Sequence, residues 1–275
     1  RSAHFDEPNI LAHIRFDERT VNGERVLFIE EFQSDWNQSI KKKGIKLLTD
    51  KQVTGFKDKG KEIETVLKSG ESLSSDYVLF SIGREADLSC VDGLEIKQDR
   101  GRLIVNEYME TSIEGVYAAG DINGLSMLAH SAFKMGETAA GNALGGREEV
   151  RLDNTPKCVY TLPEIASVGL PEEEALKKYG KIRTGRFNFG ANGRAIASSE
   201  EEGFVKVICD DNYGEILGVH ILGPHASDLI GEAVLALNLE CTPQEIAETI
   251  HPHPTLSEAL MEAAQGVFAS PLHFS

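Results

Sequence analysis

Near its C-terminus the chain reads HPHPTLSEALMEAA over residues 251–264. Few stretches leave a backbone so little choice. Each proline fixes φ and withholds an amide, so Pro252 and Pro254 stiffen this approach and keep it out of a helix. Thr255, Leu256, Ser257 and Glu258 then open an apolar run with helical periodicity. His251 and His253 are thus presented on a rigid, non-helical segment. A histidine held beside a carboxylate is a poised acid/base pair, because its ordinary pKa lies near neutrality. Thr255 and Glu258 also have capping-box spacing, so Glu258 has a second reading as closure of the helix start. The two jobs are compatible, and the sequence leaves both open.

Composition excludes several classes. The 275 residues, 41% of them apolar, suffice for one large domain or two modest ones with a sizeable core. A net charge of −16 argues against nucleic acid and anionic membrane as partners. No apolar run approaches the roughly 20 residues of a membrane span, and the N-terminus does not read as a signal peptide. Arg1 in place of Met points to a fragment or a processed product. Cysteines at 90, 158, 209 and 241 are too scattered for a C-x-x-C pair or a zinc site, so no metal is expected. Cys158 and Cys209 read as buried small hydrophobes, and a reducing cytoplasm fits best.

Residues 1–40 read as a separate leader. Two alternating strands meet at Asn22-Gly23, the favoured dipeptide of a tight hairpin, and Trp36 and the run Lys41-Lys42-Lys43 mark its end. This piece faintly resembles a segment of large phage-encoded multidomain proteins and is unrelated to the remainder of the chain. From Gly44 onward short strand-like runs alternate with Gly, Lys and Asp. Residues 77–82 form a continuous apolar run, as in a strand covered on both faces, and Gly83-Arg84 ends it in a turn.

Residues 115–121, GVYAAGD, read as a buried strand with small residues at its end and an aspartate at its tip. Small residues such as Gly120 let a ligand approach the backbone, and Asp121 offers acceptors to a hydroxyl-bearing ligand. An ordinary Gly-Asp turn is the competing reading. Leu128, Ala132, Met135, Ala139 and Ala143 then recur at helical spacing, with Gly145-Gly146 as a stop. The start of that helix carries partial positive charge and free amides. His130 receives no catalytic role.

Residues 147–154 read as a linker into an α+β unit. The strand and turn KCVYTLPEIASVGL precede a helix with Pro171 in its first turn and Gly180 after its last. A hairpin turns at 210–214. An amphipathic helix comes next, with Leu229, Ile230, Ala233, Val234 and Leu237 on one face. Thr242, Pro243 and Glu245 then open a capping-box helix.

Segments 115–121, 161–169 and 251–258, in this order, resemble the motifs of the flavin-dependent pyridine nucleotide–disulfide oxidoreductases, and most closely their dihydrolipoyl dehydrogenase branch. The resemblance spans about residues 44–275. It implies an α/β fold: a remnant of the NAD- and FAD-binding domains over 41–150, then an α+β dimerisation domain over 151–275. The pattern D-x-V-L-x-x-I-G-R ending at Arg84 would close the NAD-binding domain. FAD and NAD are the implied cofactors. Asp121, next to Gly120, would hold the ribityl chain, and Met127, Leu128 and Ala129 would contact the pyrimidine side of the flavin. His253 would be the base for the substrate thiol and Glu258 its brace, serving the partner subunit of a homodimer. A lipoyl-bearing protein or a small dithiol is the implied substrate.

Two family features are missing from this sequence. It contains no G-x-G-x-x-G and no C-x₄-C. The expectation is therefore a truncated chain that dimerises but neither retains FAD tightly nor turns over alone. A non-catalytic dimerisation or partner-binding module is the alternative, as is another disulfide reductase of the same family. The latter fits less well, because mercuric reductases end in a cysteine pair where this chain has SPLHFS, and glutathione reductases usually lack the HPHPTLSE form.

Overall fold

The computed structural model describes residues 16–21, 24–29, 48, 51–79, 81 and 83–268. They divide into two compact units, Arg1–Glu85 and Ala86–Ser275. In the first, β1 (Phe16–Val21) and β2 (Glu24–Ile29) pair antiparallel with Val21 opposite Glu24. This is the hairpin register that the sequence suggests. The turn residues Asn22-Gly23, Trp36 and the lysine run 41–43 lie outside the described residues. A second sheet is an antiparallel meander of β3 (Val53–Asp58), β4 (Ile63–Leu67) and β5 (Ser72–Ser75).

In the apolar run expected as a buried strand, Phe80 and Ile82 lie outside the described residues, and the described remainder forms no strand. Residues 77–79 lie outside any strand, with Tyr77 90% and Leu79 68% exposed. An apolar run becomes a buried strand only where neighbours supply a ladder and cover. The meander stops at Ser75 and gives it neither. Gly83, at φ 108°, and the exposed Arg84 carry the chain onward without regular structure, as a turn would.

The second unit begins with a short ribbon, β6 (Gln98–Asp99) and β7 (Arg102–Leu103). Residues 115–121 are not the expected strand: Gly115 and Gly120–Asp121 lie in turns, and the one ladder contact between them is an isolated bridge from Tyr117 to Glu110. The alternation survives all the same. Val116 and Ala118 face the cluster around Ile96 and Leu103, while Tyr117 and Ala119 face Met109 and Met135. Helix α1 (Ala129–Ala143) buries Ser131, Met135, Thr138, Ala139 and Asn142. Gly145, at φ 97°, ends it with its amide on the Asn142 carbonyl. The expected linker is irregular but anchored, because Val150 and Leu152 pack against the Met109–Met135 cluster.

The rest is a five-stranded antiparallel sheet with helices on both faces. Its strands are β8 (Lys157–Val159), β9 (Glu164–Gly169), β10 (Ile182–Asn188), β11 (Phe204–Asp210) and β12 (Ile216–Gly223), in the order β10-β11-β12-β9-β8. All eight residues of β12 are buried. Helices α4 (Ala226–Asn238) and α6 (Glu258–Gly266) cover one face, where Ile230, Ala233, Leu260 and Ala263 meet Val168, Val205, Val207, Val219 and Ile221. Ala175 of α2 (Glu172–Tyr179) meets Ile208 and Leu217 on the other. Ile208 pairs with Gly218 and Cys209 with Ile216, so Leu217 is an extra residue in β12. This bulge lets Ile216 join the same cluster as Val219 and Ile221.

Two short helices complete the unit, α3 (Gly193–Ser198) and α5 (Pro243–Glu248). The expected capping box of α5 is formed, with the Thr242 hydroxyl accepting the Gln244 amide and Glu245 returning to the Thr242 amide at 2.8 Å. Among the described residues no helix is long and apolar enough to cross a membrane, and no cluster of three or more His, Cys, Asp or Glu side chains could hold a metal ion.

Candidate active site

Residues 249–257 link α5 to α6 without regular structure, as the two prolines require. Ala259 and Leu260 bury themselves against the sheet and fix the first turn of α6. Burial of a side chain such as Leu260 contributes about 1.5–3 kcal/mol. Glu258, the first residue of that turn, reaches back over the linker. Its Oε1 lies 2.9 Å from His253 Nδ1, and its Oε2 accepts the Thr255 amide at 2.8 Å. One carboxylate thus reaches the ring and the linker amide with separate oxygens.

The capping box itself is half-formed. The Thr255 hydroxyl donates to the Pro252 carbonyl at 2.7 Å and meets Ser257 Oγ at 2.8 Å, and no side chain caps α6. Thr255 therefore closes the linker on itself rather than the helix.

The His253–Glu258 contact sets the chemistry of the ring. A carboxylate accepts, so Nδ1 carries the hydrogen and the lone pair of the neutral ring lies on Nε2. The His253 side chain is 74% exposed against 17% for Glu258, and Nε2 has no partner among the described residues. An oriented, solvent-facing nitrogen lone pair can take a proton from an incoming group.

His251 is a different case. Its side chain is 4% exposed, with Nδ1 2.9 Å from the Thr249 carbonyl and Nε2 2.9 Å from Glu232 Oε1. Asn192, also buried, caps α3 by accepting the Ala195 amide and donates to the Thr255 carbonyl at 3.0 Å. Neither contact is announced by the sequence.

A second grouping lies at the start of α1. Gly120 is buried at φ 84°, and a Cβ there would stand 3.4 Å from that of Ala132. Two turns come in succession, with the Asn123 amide on the Gly120 carbonyl and the Gly124 amide on that of Asp121. Buried Asn123 fixes them, donating to the Ala118 carbonyl at 3.1 Å and accepting the Leu125 amide at 3.0 Å. The half-buried Asp121 carboxylate has no hydrogen-bond partner among the described residues. Met127 and Leu128 are half-buried, and Ala129, the first residue of α1, is exposed. The first intrahelical bond is from the Ala132 amide to Leu128, so the amides of 129–131 precede it. His130 Nε2 contacts the Pro156 carbonyl at 2.9 Å, as a satisfied surface histidine would.

The four cysteines are unpaired. Burial pushes the Cys158 and Cys209 thiols above their ordinary range, which keeps both protonated at neutral pH.

Comparisons with known proteins cover the same segments. The pyridine nucleotide-disulphide oxidoreductase family matches residues 21–136, and the dimerisation domain of that family matches 155–264. The first match begins at residue 21, within the stretch set apart above as a leader. Dihydrolipoyl dehydrogenase of Bacillus subtilis is 40% identical over 253 residues, covering 89% of this chain and 53% of its own length. That of Thermus scotoductus is 41% identical over 245 residues, covering 86% and 53%. The chain spans about half the length of the curated relatives it matches. The crystal structure of LpdA from Mycobacterium tuberculosis superposes with a TM-score of 0.76 at 31% identity, over 84% of this chain and 51% of that one. The flavoprotein disulfide reductase RclA of Escherichia coli, at 20% identity and a TM-score of 0.77, shares the fold. With collinear matches on either side of the 147–154 connection and the mixed α/β fold between them, this chain belongs to the pyridine nucleotide-disulphide oxidoreductase family.

Proposed function

We propose that this chain supplies the proton acceptor of a dihydrolipoyl dehydrogenase reaction, with 41–150 as part of an NAD- and FAD-binding region and 151–275 as a dimerisation domain. The observation that supports it is the exposed His253 ring held by Glu258 through Nδ1. A thiol attacks as the thiolate, so a base must take its proton. His253 Nε2 accepts that proton, while Glu258 fixes the tautomer and stabilises the imidazolium. Overall, a dihydrolipoyl dithiol loses two electrons and two protons to become the disulfide, NAD⁺ gains a hydride, and one proton is released. FAD, when bound, relays the electron pair between them.

The residues here fit part of that cofactor. Asp121, with its unengaged carboxylate, would hold the ribityl hydroxyls, Gly120 would allow close approach, and Met127, Leu128 and Ala129 would meet the pyrimidine edge at the start of α1. Without a G-x-G-x-x-G, the chain offers no cradle of that kind for the pyrophosphate. In a homodimer the base would serve the site of the partner subunit, with a lipoyl-bearing protein or a small dithiol as substrate. A reducing cytoplasm suits the four free thiols.

The test is dihydrolipoamide-dependent NAD⁺ reduction by this chain with FAD and a co-expressed half that carries the G-x-G-x-x-G and C-x₄-C missing here. Turnover lost in His253→Gln is the expected result, and turnover unchanged in that variant overturns the base assignment. A second reading, a non-catalytic dimerisation module, is favoured by the lack of a C-x₄-C dithiol. A folded dimer that stays inactive with FAD and that co-expressed half would select it.

A further inference from the structure

His253 lies midway between two buried anchors. Two residues before it, His251 is tied to Glu232 of α4. Two residues after it, the Thr255 carbonyl is tied to Asn192, the cap of α3. The anchors come from different elements, and the His251 and Asn192 side chains are each buried, while Glu232 is 37% exposed. Between them Pro252 and Pro254 restrict φ, and the Thr255 hydroxyl closes onto the Pro252 carbonyl. An exposed ring on a loop ordinarily samples several rotamers. This ring is exposed, yet its loop is fixed on both sides.

The first anchor has a particular chemistry. The Thr249 carbonyl only accepts, so His251 Nδ1 carries a hydrogen. The contact between Nε2 and Glu232 then requires one further proton on one of those two atoms. Both ring nitrogens of His251 are thus engaged, which fixes the ring between the linker and α4. The second anchor uses both ends of one amide, with Asn192 accepting from Ala195 and donating to Thr255. It couples the start of α3 to the linker across 63 residues of sequence.

We propose that Glu232–His251 and Asn192 are positioning groups that hold the linker so that His253 Nδ1 stays on Glu258, leaving Nε2 as the ring's proton-accepting atom. They touch no reacting atom and act through His253. The inference rests on the base reading given above, but its test does not need turnover.

The measurement is the tautomer of His253, read from its ring ¹⁵N shifts in the full chain without flavin or thiol. The wild type is expected to show Nδ1–H, and Glu258→Ala defines the signal of an unbraced ring. Glu232→Ala and Asn192→Asp are each expected to move the His253 signals by at least half of that difference. Asn192→Asp keeps the acceptor that caps α3, removes the donor to Thr255 and sets a carboxylate oxygen against that carbonyl. Glu232→Gln keeps an oxygen for His251 and should remain as wild type. Thermal midpoints taken in parallel confirm that each variant is folded. Wild-type His253 signals in both folded Glu232→Ala and Asn192→Asp would overturn the proposal, whatever the turnover. Loss of the tautomer in those variants, with turnover indifferent to His253→Gln, would instead remove the base assignment and leave the anchors standing.

Discussion

Glu258 divides its two carboxylate oxygens between the His253 ring and the Thr255 amide, at 2.9 and 2.8 Å. The two bonds predict different losses. Glu258→Ala frees a backbone donor at a helix start as well as the ring, and should cost about 1 kcal/mol of stability. His253→Ala removes an exposed ring and should leave the denaturation midpoint nearly unchanged. In the thiol-driven assay each change should lower the rate by about 10²-fold or more. Urea titration and initial rates check the pair. Equal stability losses would contradict the assignment of the second oxygen.

Gly185 predicts a steric limit. A Cβ there would stand 2.1 Å from the Ala263 carbonyl and 2.5 Å from the Val267 amide, so α6 rides directly on β10. Gly185→Ala must push the helix away, at about 1–3 kcal/mol or more. Gly266→Ala meets its nearest atom at 3.3 Å and should cost less. Denaturant midpoints of the two variants give the comparison.

His220 predicts a dependence on pH. The ring is buried on β12 with Nε2 at the Leu170 carbonyl, beside the Lys206–Glu172 ion pair. Burial is the main cause that pulls its pKa below the ordinary value, Lys206 adds to it, and the Leu170 bond and Glu172 oppose. The folded state therefore binds this proton less well than the unfolded chain. The stability tied to the neutral ring is complete above about pH 6.5 and is lost as pH falls from there toward the folded value. The thermal midpoint of the wild type should fall between neutral and mildly acid pH more steeply than that of His220→Gln. Parallel curves would refute this.

Asp210 behaves oppositely. Its carboxylate accepts the amides of Asn212, Tyr213 and Glu215 at the β11–β12 turn. Burial raises its pKa, but those amide bonds together lower it below the usual carboxylate value. Its contribution is present above about pH 3.9 and disappears as pH drops through the folded value. Asp210→Asn should destabilise the protein at neutral pH and lose that deficit in acid, which melting curves across this range would reveal.

The local devices of the fold were legible in the sequence, and the distant ones were not. The Thr242–Glu245 box, the β11–β12 hairpin and the apolar face of α4 rest on spacings of two to four residues, which the sequence displays directly. The contact between His253 and Glu258 also lies within five residues. Residues 77–79 and 115–121 misled because strand-like apolar patterning says nothing about whether a neighbouring strand is there to pair. Strand β10 escaped notice because Gly185 interrupts its pattern, and that glycine is needed for the approach of α6. The ties from His251 to Glu232 and from Asn192 to Thr255 join residues 19 and 63 positions apart, and only the folded sheet and its helices bring them together.

Strand β12 is enclosed along its whole length, with β9 and β11 on its two edges. No small local fluctuation can bring water to the middle of such a strand. Deuterium uptake at the Val219 amide should therefore follow the opening of the entire sheet, which makes this one hydrogen a gauge of how often that half of the molecule comes apart.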